Sequence, residues 1–468
     1  MAFAVQGKMM ERPNAWKTYS KKDLKELETL NKGYIDFLSY GKTERLCVKR
    51  TIEMAEAAGY VKLEKKIGKK KKLKAGDKVY AVCMNKTVVM FQIGKQPLEQ
   101  GMNILGAHID SPRLDVKQNP LYEDTDLAYL DTHYYGGIKK YQWVTIPLAL
   151  YGVVVKKDGS VVEIAIGDKD EDPVFCVTDL LIHLAGEQQE KKASKVIEAE
   201  NLDLLFGSMP LPKEDKEGVK KGVLALLKKQ YDIEEEDFLS AELEIVPSGR
   251  AREAGIDRSM IMSYGQDDRV CAYTSLVAML EVDAPEKTSC CLLVDKEEIG
   301  SVGATGMQSK FFENMVAEVM ELAGQYSELA LRRCLANSSM LSSDVNAAFD
   351  PLYASAFEKK NASYFGRGLV FSKFTGRGGK SGSNDANAEY MGRIRKMMDD
   401  NKVNFQTAEL GKVDVGGGGT IAYIMSLYGM EVIDSGVAVL NMHAPWEITS
   451  KADVYEAKKG YVAFLKNA

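Results

Sequence analysis

Ser289-Cys-Cys-Leu-Leu-Val294 runs directly into Asp295-Lys-Glu-Glu-Ile-Gly300. An apolar run of this length, closed by charged residues and glycine, reads as a strand buried on both faces. Val437 to Asn441 reads the same way, with helical segments such as Phe311 to Tyr326 in between. Alternation of this kind predicts an α/β domain with helices on both faces of a sheet. Further out, Ser20-Lys-Lys-Asp23 fits a capping box ahead of helically spaced Leu24, Leu27, Tyr34 and Leu38. A second helical run carries Leu46, Ile52 and Met54 and stops at Gly59. Val79 to Met84 and Thr87 to Ile93, parted by Asn85-Lys86, predict a hairpin. Between about Asp115 and Pro247 the texture changes to β-rich runs (Trp143 to Val155, Val161 to Ile166), a charged helical stretch at Lys191 to Lys195, and Gly218 to Tyr231. That middle segment reads as a domain inserted into the α/β one.

The 468 residues carry 62 Lys and Arg against 67 Asp and Glu, a formal net charge of −5, and 45% are hydrophobic. Such a chain fills a core, and its length fits two domains. Near-balanced charge argues against a dedicated nucleic-acid binder. The longest apolar stretch, Val144 to Val155, is interrupted by Pro147 and Gly152 and falls short of the roughly 20 residues of a membrane helix. The first sixteen residues, MAFAVQGKMMERPNAW, hold no apolar core of signal-peptide length. Seven cysteines without a CxxC pair read as reduced thiols. The expectation is a soluble, cytoplasmic protein, not tied to a membrane. The lysine run Lys69 to Lys72, with Lys62, Lys65, Lys66 and Lys74 nearby, reads as a solvated loop or edge.

Chemistry concentrates at element ends. His108, in Gly106-Ala-His-Ile-Asp-Ser-Pro112, follows the apolar Met102 to Leu105 and falls at the carboxyl end of a strand, where open α/β sheets hold ligands. Asp110 is two residues on and can point the same way, placed to accept the second ring N–H of a metal-bound histidine. His443, in Asn441-Met-His-Ala-Pro445, again follows a strand-like run. Asp267-Asp268-Arg269 opens the helical run Cys271 to Leu280, where the acids would also suit an N-cap. Glu297 and Glu298 end the Cys290 to Val294 strand and lead into Gly300, Gly303 and Gly306. Asp344 follows Met340-Leu341. Of the other histidines, His183 lies amid Leu180-Leu-Ile and Leu184, as a core histidine would, and His133 sits in a turn-like segment. Two divalent ions about 3.5–4 Å apart need a bridging carboxylate plus a histidine and a carboxylate each. Imidazole and carboxylate without thiolate suit zinc, and also manganese or cobalt. A glutamate beside a ligand can serve as general base. Hydrolysis of amide bonds follows. The four glycines Gly416 to Gly419 lack the lysine of a phosphate-binding loop and suit a backbone that approaches substrate closely.

On these residues the sequence resembles the aspartyl aminopeptidase (M18) family of metallo-aminopeptidases, in a bacterial-type form, within the wider group of di-zinc exopeptidases. The matching segments are Gly106 to Pro112, Gln266 to Arg269, Asp295 to Ser301, Ser342 to Val345, Gly418 to Ile421 and Asn441 to His443. Tyr135-Gly-Gly-Ile138, Leu181 to Leu184 and Ala241 to Pro247 resemble the family's middle domain, so the likeness spans nearly the whole chain. It implies a di-zinc exopeptidase-like catalytic domain of residues 1–115 and 252–468, a mixed central sheet flanked by helices, with a β-rich dimerisation domain of residues 116–251 inserted. It implies an aminopeptidase with two divalent ions per subunit, zinc first and manganese or cobalt as alternatives. Asp267 would bridge them, His108 and Asp344 would complete one ion, and Glu298 and His443 the other. Glu297 would be the base and Asp110 would orient His108. Dimers would assemble into a tetrahedral dodecamer that admits peptides. His183 matches a histidine carried into a neighbouring subunit's site. One departure stands out: Asp344 to Pro351 lacks the histidines of eukaryotic-type members, so a preference for acidic N-terminal residues does not carry over. Arg377 and Lys380, in a glycine-rich stretch, are the candidate cations for an acidic side chain. The competing readings are a related di-metal deacylase and a catalytically idle shell protein, which would have lost a ligand or the base.

Overall fold

The computed structural model describes residues 13–69, 72–214 and 216–468; Lys70 and Lys71 of the lysine run lie outside the described residues. Among these, nine strands form one mixed sheet. Its order is Val61–Lys62, Lys78–Cys83, Thr87–Gln92, Thr288–Val294, Met102–His108, Ser339–Ser343, Glu431–Gly436, Leu369–Ser372, Phe405–Thr407. The four strands from Thr288–Val294 to Glu431–Gly436 are parallel to one another. Their register sets Val294 beside His108 and Ser342 beside Gly106, so three of them deliver the residues that follow to one edge of the sheet. The two-residue period of each strand sorts its side chains between two cores. Leu105, Ala107, Cys291 and Leu293 face one, with helices Lys21–Tyr40, Gln266–Glu281 and Lys451–Asn467. Ile104, Cys290, Leu292 and Val294 face the other, with helices Phe311–Leu322 and Glu328–Ala336.

A second sheet of seven strands is antiparallel throughout and is built from Arg113–Asp124 to Ala241–Pro247. It has its own core around the fully buried Trp143. A third, of five strands, joins Arg252–Ala254 and Met260–Ser263 to Glu447–Ser450, Ala438–Leu440 and Asn346–Ala347.

Several expected elements are present. Ser20 and Asp23 form the reciprocal capping box, Lys78–Cys83 pairs antiparallel with Thr87–Gln92, and all seven cysteines are free thiols. No helix among the described residues is long and apolar enough to cross a membrane. Others differ. Val437 to Asn441 is not a strand of the large sheet: Glu431–Gly436 fills that place, and Ala438–Leu440 has left for the small sheet. The exit lies at Gly436, whose α-carbon packs so closely on the Asp344 carbonyl that a Cβ would lie 1.8 Å from the oxygen. Lys191 to Lys195 contains only the single turn Ala193–Lys195. His183 is not a core histidine: it and its neighbours Leu181, Ile182 and Leu184 are exposed.

Candidate metal centre

Each arm of the site is fixed by the end of an element. His108 closes the strand Met102–His108 and is buried. Glu297 and Glu298 form the turn Glu297–Ile299 after Thr288–Val294, and Asp344 follows Ser339–Ser343. Asp267 lies in the first turn of Gln266–Glu281, and His443 three residues beyond Ala438–Leu440. Asp267 and Asp268 have non-helical backbone angles, so the regular helix begins only after them. Asp267 faces outward: its Oδ1 lies 3.2 Å from His108 Nε2 and its Oδ2 lies 3.3 Å from His443 Nε2. His108 Nε2 is also 3.8 Å from Asp344 Oδ1, and His443 Nε2 is 3.5 Å from Glu298 Oε2. Donors bound at about 2.0–2.1 Å to one tetrahedral ion stand about 3.3–3.4 Å apart. The spacing and the nitrogen–oxygen chemistry of this set therefore fit zinc. Glu298 Oε1, buried with no hydrogen-bond partner among the described residues, is a further donor atom left for a cation.

Asp268 is buried beside Asp267. Its Oδ2 accepts the His108 backbone N–H at 3.4 Å, and its Oδ1 makes no geometric hydrogen bond among the described residues. Both His108, Asp267 and Glu298 and the alternative His108, Asp268 and Asp344 gather donor atoms within 4.8 Å. Only Asp267 spans both histidines. His108 Nδ1 lies 3.1 Å from the Asp110 backbone carbonyl and 3.2 Å from Asp110 Oδ1, and the Asp110 carboxylate accepts the backbone N–H groups of Glu297 and Glu298 at 3.1 Å each.

Concentrating and burying these acids raises the proton affinity of most of them. Burial, then the nearby Asp344, pushes the Glu297 carboxyl up to about 8, and burial raises Glu298, Asp268 and Asp344 as well. Burial works the same way on Asp267, but hydrogen bonds to His108 and His443 override it and hold that carboxyl well below its ordinary value. Burial would lower His443, yet Asp267 and Glu298 lift it to about 10. The cluster thus demands positive charge, as a cation site does.

Sequence reasoning missed Glu447. Four residues past His443, it is fully buried, accepts the His443 N–H at 2.9 Å and the Asp267 N–H at 3.0 Å, and burial lifts it to about 8. The signal available was only its distance from His443 along an apolar-flanked strand.

Asp267, Glu297, Glu298, Asp344 and His443 open onto a cavity of about 870 Å³, walled opposite by the glycine-rich loops around 376–382 and 411–419. Gly417 packs on the Gly376 carbonyl, leaving 2.2 Å between that oxygen and a would-be Cβ. Lys380 lines the cavity, lies over the Phe374 ring and pairs with Asp385 at 3.0 Å. Arg377 is not part of this lining, nor is His183.

Two imidazoles and a set of acids at strand ends, opening onto a cavity of an α/β fold, mark a metal-dependent hydrolase. Residues 37–465 match the family described as aminopeptidase I zinc metalloprotease (M18), and the chain belongs to that family. It is 62% identical over 460 residues to a probable M18 family aminopeptidase 1 of Clostridium acetobutylicum, covering 98% of this chain and 99% of that one. A solved M18 aminopeptidase from Thermotoga maritima is 46% identical and superposes with a TM-score of 0.94 over 98% of this chain and all of the other. The more distant mApe1 dodecamer of S. cerevisiae, 20% identical, shares the fold at a TM-score of 0.73 over 95% and 97% of the two chains. The chain is a metal-dependent aminopeptidase.

Proposed function

We propose that the chain removes single residues from the N-termini of peptides, using two divalent ions held between His108, Asp344 and Asp267 on one side and Asp267, Glu298 and His443 on the other. One observation carries this: the two oxygens of Asp267 each face a different histidine, at 3.2 and 3.3 Å. When bound, the ions supply Lewis acidity toward the scissile carbonyl and lower the pKa of water toward neutrality. Glu297 is the general base. Its carboxylate faces the cavity, with Oε2 3.9 Å from His108 Nε2. It takes the proton of the attacking water and returns it to the leaving amine. Asp110 holds the His108 ring by Nδ1, leaving Nε2 free for the metal.

Residues 1–115 and 252–468 form the catalytic domain in this reading, and residues 116–251 the dimerisation domain. The separate core around Trp143 supports that division. So do the exposed Leu180, Leu181, Ile182 and Leu184, which suit an interface between copies. There His183 would reach a neighbouring subunit's cavity within a dodecamer built from dimers. Lys380, which lines the cavity, is the contact for an acidic N-terminal side chain, and Arg377 of the same loop is the second candidate cation. The seven free thiols fit a cytoplasmic location.

The test is hydrolysis of aspartyl, glutamyl, leucyl and lysyl substrates by zinc-loaded protein, each beside its N-acetylated counterpart. Cleavage confined to free amino termini is expected. Cleavage of the blocked forms would replace the aminopeptidase reading with a deacylase.

A further inference from the structure

One corner of the seven-stranded sheet reaches into the metal centre. The strand Leu127–Tyr135 ends there, and Gly136 and Gly137 follow. The Tyr135 hydroxyl donates to Asp110 Oδ2 at 2.8 Å. That carboxylate is a junction: Oδ1 accepts the Glu297 N–H and lies by His108 Nδ1, while Oδ2 accepts the Glu298 N–H along with the tyrosine. Tyr135 is itself held. The Arg113 guanidinium lies over its ring, 3.8 Å from the centroid, and is fixed by Asp115, Glu244 and Glu44 at 2.7, 3.3 and 3.5 Å. Two residues on, the Gly137 carbonyl lies 2.8 Å from His443 Nδ1, which fixes the ring with Nε2 turned to Asp267 and Glu298. The approach is close: a Cβ on Gly137 would stand 3.3 Å from that Nδ1, so the ring would have to shift by a few tenths of an ångström, and Gly136, with φ +74°, adopts a conformation that favours glycine.

We propose that Tyr135 is a positioning residue for the metal centre, and that the Tyr135–Gly137 corner of the middle segment sets how tightly the centre holds its ions. Tyr135 acts through Asp110 on the His108 ring and on the backbone of Glu297 and Glu298, and Gly137 acts on His443. Both ligand histidines thus take their orientation in part from the middle segment. The inference rests on the proposed ligand set. Removing an outer partner of a ligand histidine costs about 10- to 100-fold in metal affinity or activity.

The experiment compares full-length wild type with Tyr135→Phe, Gly137→Ala and, as control, Tyr134→Phe, whose ring is partly exposed on the same strand. Zinc affinity is read by competition with a chelator, kcat and KM are measured separately, and the visible spectrum of the cobalt-substituted protein reports ligand geometry. Tyr135→Phe and Gly137→Ala are expected to weaken zinc binding about tenfold or more, to lower kcat with little change in KM, and to shift the cobalt spectrum, while Tyr134→Phe does none of these. Melting of the metal-free proteins separates fold from site: metal-free Tyr135→Phe should melt close to wild type. Zinc affinity within about twofold of wild type with an unaltered cobalt spectrum would overturn the proposal, as would an equal fall in melting temperature with and without zinc. His108→Ala guards the premise: zinc bound as tightly there as in wild type would overturn the ligand assignment instead.

Discussion

Replacing Glu297 with glutamine isolates the proton-transfer step. The amide keeps the side chain's size, and the backbone N–H of residue 297 still reaches Asp110 Oδ1 at 3.1 Å. Glu297 is outside the proposed ligand set, so His108, Asp267, Glu298, Asp344 and His443 are all retained. What disappears is the ability to take a proton. A positioned general base contributes about 10²–10⁴ in rate, or about 2.7–5.4 kcal/mol of barrier. The expected result is a kcat lower by that factor, with zinc content per chain unchanged by elemental analysis. A second consequence has a definite sign. In the metal-free chain the Glu297 carboxyl sits near 8, raised above its unfolded value chiefly by burial. Its stabilising contribution is complete below that unfolded value, near 4.5, and is lost as pH rises through 8. The amide does not ionise, so metal-free Glu297→Gln should melt no lower than wild type at pH 8. A kcat within about tenfold of wild type, measured on zinc-loaded variant with a free aminoacyl substrate, would refute the role of base.

Other outcomes follow from the same geometry. Asp267→Ala should bind one zinc ion or none, by elemental analysis of dialysed protein; full zinc retention would move the bridge to Asp268. The melting gain from added zinc should be larger at pH 8 than at pH 5.5, because burial raises the proposed ligands Glu298 and Asp344 and their carboxylate neighbours lift His443 to about 10. Zinc takes these ligands deprotonated and so competes with fewer protons as pH rises; an equal gain at both pH values would contradict this. Trp143→Ala, at a fully buried site in the middle core, should cost about 3–5 kcal/mol in denaturant unfolding. Lys380→Met should lower kcat/KM for aspartyl and glutamyl substrates relative to leucyl by about tenfold, the value of one charge-assisted contact; an equal change across the panel would remove Lys380 from side-chain recognition.

Much of the centre was readable because parallel strands bury both faces and stop at polar residues. The apolar runs before His108, Glu297 and Asp344 thus announced both the strands and the site edge. His443 was found for a partly mistaken reason, since the strand before it belongs to the small sheet rather than the large one. Glu447 was not found, and Tyr135 stood out only as part of a middle-domain motif, with no part assigned to it in the centre. Their roles arise where separate sheets meet, and a pattern within one segment carries no trace of that meeting. His183 shows the converse error. An aliphatic neighbourhood along the chain reads as core, yet here the whole segment Leu180 to Leu184 faces outward.

The spread of the proposed ligands along the sequence also orders events in time. His108 is made early, Asp267 and Glu298 midway, and His443 only after the last strand of the large sheet. A growing chain therefore holds single acids and imidazoles with no partner across the cleft. The small sheet, which pairs Met260–Ser263 with Glu447–Ser450, cannot close until the last of these has been translated. On the proposed ligand set, the centre is complete only after the strand Glu447–Ser450 has been made and the small sheet has closed on it.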